Sequence, residues 1–260
     1  MMALEPSPAR DFLAGLGARL PRPRAILIVS AHHDARFEGG RATVTAAATP
    51  ETIHDFGGFP DELFAMRYPA PGDPQLAQHV VDLCAGRGLQ VVADPDRGLD
   101  HGAWVPLSLL YPGADVPVVQ LSIASDAPPE WHYDLGRALA PLRDEGVLVI
   151  GSGSLTHNLR VLMASRPPID APAPLWVSAF ADWVAERLSA GAIDDVLHAV
   201  ERAPYGRDNH PTPDHILPLF VAMGAGSDIG SLHAQRLHAS TTYALLAMDV
   251  YAFGSGAAAL

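Results

Sequence analysis

The sequence is poor in cysteine and in long apolar runs. Cys84 is the only cysteine among 260 residues, so neither an internal disulfide nor a zinc site of several thiolates can form. No apolar run approaches the roughly 18 residues that suggest a membrane-spanning helix, and no signal peptide opens the chain. We therefore expect a cytoplasmic protein in which Cys84 packs into the core.

Positive charge is also scarce. Seventeen Lys and Arg residues face 29 Asp and Glu residues, which gives a formal net charge of −12. An acidic chain is repelled by nucleic acid and by anionic lipid, so we expect neither nucleic acid nor a membrane as a partner. The glycine-rich nucleotide motifs GxGxxG and the P-loop are missing as well, and no organic cofactor is expected.

Hydrophobic residues, at 48% of the chain, are sufficient for the core of a single domain. Short β-branched runs predict strands at 25–32, 42–48, 89–94, 116–123 and 147–153, with a strand or strand pair at 241–254. Helices are predicted at 72–88, 105–111, 129–146 and 175–191. This alternation predicts a single-domain α/β fold with an open, largely parallel central sheet flanked by helices.

Histidine is the residue that the chain has in abundance, with 12 copies. Several histidines follow predicted strands or lie in turns rich in Gly and Pro, which is where open α/β sheets place functional groups. These are His32 in SAHH, His54 in TIHDFGGFP, His101 in LDHGAW, His157 in GSGSLTHNL and His215 in PTPDH.

Each of these histidines also has a purely structural interpretation. His32 is equally well a metal ligand or a core histidine bonded to backbone, and His33 should point to the opposite face of the strand. An imidazole at His157 suits a general acid/base, although it could simply hydrogen-bond the Gly-Ser turn. Taken alone, His215 fits a residue at the start of a helix better than a ligand.

The motifs taken in order, together with YPAPGDP (68–74), VPVVQLSI (116–123) and LAPLRDEGVLVIGSG (139–153), resemble the class III extradiol ring-cleavage dioxygenases, in the DOPA 4,5-dioxygenase-type branch. The resemblance implies an oxidoreductase that cleaves a catechol-type aromatic diol with dioxygen at one non-haem Fe(II) or Zn(II) ion. It leaves open which catechol is cleaved and whether the chain forms a homo-oligomer.

The resemblance also assigns roles to residues. It implies that His32 and His215 bind the metal, that His157 is the acid/base, and that His101 positions substrate or dioxygen. His54 and Phe56 should line the substrate pocket, because the TIHDFGGFP segment offers apolar surface for an aromatic ring.

The family pattern has one more histidine, in a Gly/Ser-His-Gly-Ser-Pro turn just before the stretch that matches residues 1–12. We therefore expect the catalytic domain at 1–260 to lack the family's N-terminal strand and first metal-binding histidine. That expectation keeps a metal-binding protein without oxygenase activity open as an alternative. A zinc hydrolase ranks last, because no HExxH-type arrangement is present.

Overall fold

The computed structural model describes residues 2–37, 41–228 and 231–256. Residue 1 and residues 257–260, the ends of the predicted domain, lie outside this part of the chain. The described strands are β1 (Ala25–Asp34), β2 (Ala42–Thr45), β3 (Val91–Asp94), β4 (Val118–Ile123), β5 (Val147–Ser152), β6 (Ala234–His238), β7 (Thr241–Thr242), β8 (Leu246–Ala247) and β9 (Val250–Phe253).

Helices fill most of the segments between the strands. They are α1 (Pro8–Leu16), α2 (Asp61–Ala65), α3 (Pro74–Ala85), α4 (His101–Leu110), α5 (Pro129–Leu139), α6 (Leu159–Ser165), α7 (Leu175–Ser189), α8 (Ile193–Leu197), α9 (Ala199–Arg202), α10 (Gly206–Asn209) and α11 (Leu217–Gly226). Within the described residues, no helix combines the length and the apolar character needed to cross a membrane.

The first five strands form one sheet in the order β3-β2-β4-β1-β5, with β1 next to its centre. β1 is parallel to both β4 and β5, and its residues from Ala25 to Val29 are fully buried. Apolar side chains on the two faces of β1 enter separate cores, with Leu27 and Val29 in one and Ile26 and Ile28 in the other. The predicted α/β fold, with a largely parallel sheet covered by helices, is confirmed.

One antiparallel junction divides this sheet. β2 pairs with β4 in the antiparallel sense through Val44 and Leu121, and β3 is parallel to β2. The carboxyl ends of β2 and β3 therefore face away from the edge where β1, β4 and β5 end. The chain after each of these two strands has to turn back before it can reach that edge.

Two segments, residues 46–60 and 95–100, return from the ends of β2 and β3 toward that edge and run next to each other. We call them the return segments. A bridge joins Thr52 to Leu99. The Leu99 N–H donates to the Glu51 carbonyl and the Ile53 N–H donates to the Leu99 carbonyl, each at 2.8 Å. This short piece of parallel ladder carries His54 and His101 to the same side of the sheet as His32.

Most boundaries of the predicted elements differ by a few residues, whereas α1, α2, α6 and α8 to α11 have no counterpart among the helices predicted from the sequence. The expected helix at 105–111 begins at His101, because the buried Asp100 side chain accepts a hydrogen bond from the Ala103 N–H and caps the helix there. The C-terminal region contains β6 in addition to the predicted tail strands, and β6 pairs antiparallel with β9. Cys84 is fully buried in the core, as predicted.

Candidate functional site

His32 and His215 face each other across the carboxyl edge of the sheet. Their Nε2 atoms lie 3.3 Å apart, although 183 residues separate them in sequence. His32 is on β1, beyond its last regular pair with β4 at Ser30, where the ladder shifts register. His215 precedes α11, on a segment held by Pro211 and Pro213.

Backbone contacts fix the position of His215. Its carbonyl accepts a hydrogen bond from the Ser154 N–H at 3.0 Å. A side chain at Gly153 would place its Cβ only 2.2 Å from that carbonyl oxygen, so the chain after β5 can approach His215 only with a glycine there. The segment after β5 and the segment before α11 are thus locked together.

The Asp214 carboxylate is hydrogen-bonded to Nδ1 of His215. Burial alone would raise the pKa of Asp214, but the hydrogen bonds from His215 and Thr212 outweigh burial and hold the pKa well below its usual range. The ionised carboxylate keeps the proton of His215 on Nδ1. Nε2 therefore presents a lone pair toward His32, as in many metal-binding histidines.

His157 stacks on His215, with ring centroids 3.4 Å apart and planes inclined by 12°. Its backbone N–H donates to the Asn209 carbonyl at 2.9 Å, which ties the loop after β5 to the end of α10. Burial, and to a smaller extent the neighbouring His215, lowers the pKa of His157 to about 3. The ring is therefore neutral at physiological pH.

His101 lies against the other side of His32, with ring centroids 3.9 Å apart. Asp55, on the first return segment, accepts a hydrogen bond from the His101 N–H at 3.0 Å, and its Oδ1 lies 2.9 Å from Nδ1 of that ring. Its second oxygen lies 3.8 Å from Nδ1 of His32. Burial would raise the pKa of Asp55, but the contacts with His101 produce a net lowering.

His32 is itself a neutral base. Burial lowers its pKa to about 3, and the neighbouring imidazoles of His101 and His215 add to the effect. Neutral imidazole is the form that binds a metal.

Residues that the sequence analysis did not single out support His32 from below. The buried Asp100 carboxylate accepts hydrogen bonds from the Ser30 hydroxyl and the Gln120 amide, both at 2.7 Å. Gly102 lies so close that an added Cβ would be 2.3 Å from Ser30 Oγ and 3.2 Å from Cδ2 of His32. The Asp-His-Gly spacing in LDHGAW was visible in sequence, but its contact partners on β1 and β4 were not.

Aromatic side chains form a wall beside His101. The ring of Phe56 lies 5.5 Å from the His101 ring and 5.7 Å from the His54 ring. Phe64 extends the wall at 6.1 Å from His54, and the fully buried Trp104 packs behind it at 5.6 Å from the same ring. Such a surface suits the face and edge of a phenyl ring.

The other histidines lie apart from this cluster or behind it. His33 is fully buried on the opposite face of β1, where Nε2 lies 2.7 Å from the Thr43 hydroxyl. His238 stacks on Phe12 at 4.7 Å. The buried His210 contacts the Leu155 carbonyl through Nε2, behind the loop that carries His157.

Two groups of side chains among the described residues could hold a metal ion. One comprises His32, Asp55 and His101, and the other comprises His157, Asp214 and His215. The short distance between His32 and His215 joins the two groups into one centre. The two acidic members had not been predicted from the sequence as site residues.

Comparison with known proteins places this geometry in context. Residues 8–253 match the family model described as the catalytic LigB subunit of aromatic ring-opening dioxygenase. A protein named 4,5-DOPA dioxygenase extradiol from Beta vulgaris is 43% identical over 259 residues, covering 98% of this chain and 93% of its own. The protein of the same name from Escherichia coli K12 is 44% identical over 214 residues, covering 81% of this chain and 75% of its own.

A solved structure has the same fold. The crystal structure of an uncharacterized protein from Escherichia coli K12 superposes with a TM-score of 0.75 at 33% sequence identity. The match covers 96% of this chain and 93% of that one.

Proposed function

The chain belongs to the family of the catalytic LigB subunit of aromatic ring-opening dioxygenases and is an extradiol ring-cleaving enzyme, and from this premise we propose that it opens the catechol ring of an amino acid of the DOPA type at a metal held by His32 and His215. The observation that carries the proposal is the 3.3 Å approach of the two Nε2 atoms between His101 and His157. The relatives named for DOPA cleavage support the substrate.

The two nitrogens fit a shared metal ion. Imidazole nitrogens that bind one tetrahedral or octahedral ion at about 2.1 Å lie roughly 3.0–3.4 Å apart, which brackets the observed 3.3 Å. Asp214 fixes the tautomer of His215 in the manner typical of metal-bound histidines. We assign iron(II) rather than zinc(II), because a bound iron supplies the redox chemistry that couples a catechol to dioxygen and zinc has no redox chemistry.

The remaining polar groups handle protons and orientation. His157, neutral and stacked on His215, would accept the proton of a catechol hydroxyl and return it as the ring opens. His101, held by Asp55, would orient the substrate or dioxygen on the opposite side. His54 and Phe56 would contact the apolar part of the ring, because they form the wall beside His101.

Three single variants test these roles, with bound iron measured by elemental analysis and ring cleavage measured by absorbance. His157→Ala should keep the metal and lose about 10²–10⁴-fold in kcat, because an acid/base contributes that much. His32→Ala should lose the metal itself. His79→Ala removes a partly exposed histidine of α3 that pairs with Glu145, far from these rings in sequence, and it should change neither property.

The reverse pattern would refute the assignment. An empty site in His157→Ala, together with full occupancy in His32→Ala, would mean that the ligand and the acid/base have been exchanged. Full metal occupancy and full turnover in all three variants would show that the metal centre is not at this edge of the sheet.

A further inference from the structure

Arg67, in the segment between α2 and α3, is an exposed arginine held in one orientation. Its Nη1 donates to the Phe64 carbonyl at 2.6 Å and to the Met66 carbonyl at 2.8 Å. Most exposed arginines sample many rotamers, whereas these two bonds fix one corner of this guanidinium. The remaining donors, Nε and Nη2, have no partner among the described residues.

The guanidinium adjoins the aromatic wall of the site. Its Nη1 lies 3.3 Å from Nε2 of His54, which itself contacts the Met66 carbonyl at 3.0 Å. From His54 the wall continues through Phe56 to His101. Arg67 is therefore at the end of the wall that is remote from His32 and His215.

The positive charge of Arg67 is available to a ligand in this acidic chain because it is not neutralised by a carboxylate of the described residues. The chain carries a formal net charge of −12, so a carboxylate on the substrate meets an unfavourable field and needs a local cation. Among the described residues no carboxylate forms an ion pair with Arg67. By contrast, the nearby Arg97 lies 3.5 Å from the buried Asp100 carboxylate.

Building on the proposed function, we propose that Arg67 binds the carboxylate of the substrate and selects catechols whose side chain carries a carboxylate. The free Nε and Nη2 atoms form the planar fork that fits a carboxylate with two hydrogen bonds. A catechol whose hydroxyls were held at a metal bound by His32 and His215 would have its ring along the wall and its side chain toward the far end. The carboxylate then meets Arg67, and the selectivity arises from a residue outside the histidine cluster.

The test compares L-DOPA with dopamine, which differ only in the carboxylate. The wild-type enzyme should prefer L-DOPA in kcat/KM. Arg67→Gln should lose about tenfold or more with L-DOPA, since hydrogen bonds to charged groups contribute roughly this much. Its kcat/KM for dopamine should stay within about twofold of wild type, and Arg67→Lys, which keeps the charge but loses the fork, should fall between the two.

Two further arginines serve as comparisons. Arg22→Gln removes an exposed arginine that pairs with Asp115 and should retain the wild-type preference. Arg160, which is exposed in the first turn of α6 and follows His157 by three residues, is the competing candidate. A selective loss with L-DOPA in Arg160→Gln, without one in Arg67→Gln, would overturn the proposal.

The remaining outcomes separate the inference from the proposed function. Equal losses with both substrates in Arg67→Gln, or no loss with either, would overturn the role of Arg67 while ring cleavage stands. Failure of the iron-loaded wild-type enzyme to cleave either catechol would overturn the proposed function and the inference with it.

Discussion

Gly102 is the residue on which the closest packing of the site depends. It lies in the first turn of α4, directly against Ser30 and the ring of His32. Its carbonyl also accepts a hydrogen bond from the Ser152 hydroxyl at 2.5 Å. The strands β1 and β5 and the start of α4 therefore meet at Gly102, which has no side chain.

Gly102→Ala should displace His32 and lower metal occupancy and turnover by at least about tenfold, as loss of support around a metal ligand typically does. The added Cβ would be 2.3 Å from Ser30 Oγ, and β1 is too deeply buried to yield. The control is Gly15→Ala in α1, where nothing lies within 4 Å of the added atom. Helix propensity alone would stabilise both variants by up to about 1 kcal/mol, so normal iron content in Gly102→Ala would contradict the steric argument.

At the scale of single residues, the sequence indicated which histidines would lie together but not which contacts they would make. His32 and His157 follow apolar strands, and parallel neighbours bring their ends together, so their proximity could be expected. The roles of Asp55 and Asp214 could not be predicted, because a carboxylate beside a histidine in sequence does not establish contact. Asp55 in fact contacts His101, which is 46 residues away.

Helix α4 links the two return segments to the sheet. Its capping residue, Asp100, is fully buried and bonds the Ser30 hydroxyl, the Gln120 amide and the Ala103 N–H. The Asp100 backbone N–H in turn donates to the side-chain Oε1 of Gln120 at 3.0 Å. A single side chain thus caps a helix and joins that helix to β1 and β4.

Asp100→Ala should lower the free energy of unfolding by about 3 kcal/mol or more, because it removes a cap and leaves buried donors unpaired. The matched control is Asp73→Ala at the start of α3, a cap that accepts the Leu76 N–H at 2.9 Å and keeps some exposure. That variant should lose only about 1 kcal/mol. Urea denaturation measures both, and equal losses would show that Asp100 acts as a helix cap alone.

The start of α4 is one feature that could not be predicted from the sequence. Asp100 is a good cap by residue type, but Gly102 and Pro106 in the first two turns obscured a helix whose start is stabilised by β1 and β4. The reversal of β2 and β3 was likewise hidden, because a short apolar strand reads the same in either direction. Only long-range pairing, such as Val44 with Leu121, decides it.

Buried histidines away from the site make the stability of the whole molecule depend on pH. His132 of α5 is fully buried, and its Nε2 accepts the Ala124 N–H at 3.2 Å. Its Nδ1 lies 3.1 Å from the Pro128 carbonyl, so the fold uses the neutral ring. Burial lowers the pKa of His132 to about 4.

The contribution of His132 is complete above the unfolded-state pKa of about 6.5 and is lost as the pH falls toward 4, because the unfolded chain then binds the extra proton. Between pH 7.5 and pH 5 this loss should reach about 2 kcal/mol. Urea denaturation of the wild type at both pH values should show this loss in the free energy of unfolding. In His132→Gln the loss between the two pH values should be smaller by about 2 kcal/mol. An identical pH dependence in the two proteins would mean that His132 does not set it.

The paired return segments have an evolutionary consequence. The segments that carry His54, Phe56 and Arg67 are separate in sequence from those that carry His32, His157 and His215, and the Thr52–Leu99 bridge joins the segment of His54 to the one that precedes His101. Substitutions at Arg67 are expected to change which catechol side chain is accepted and to leave His32 and His215 in place. If Arg67 selects the catechol side chain, a lineage with this architecture can change the catechols that it accepts while it inherits the same reaction.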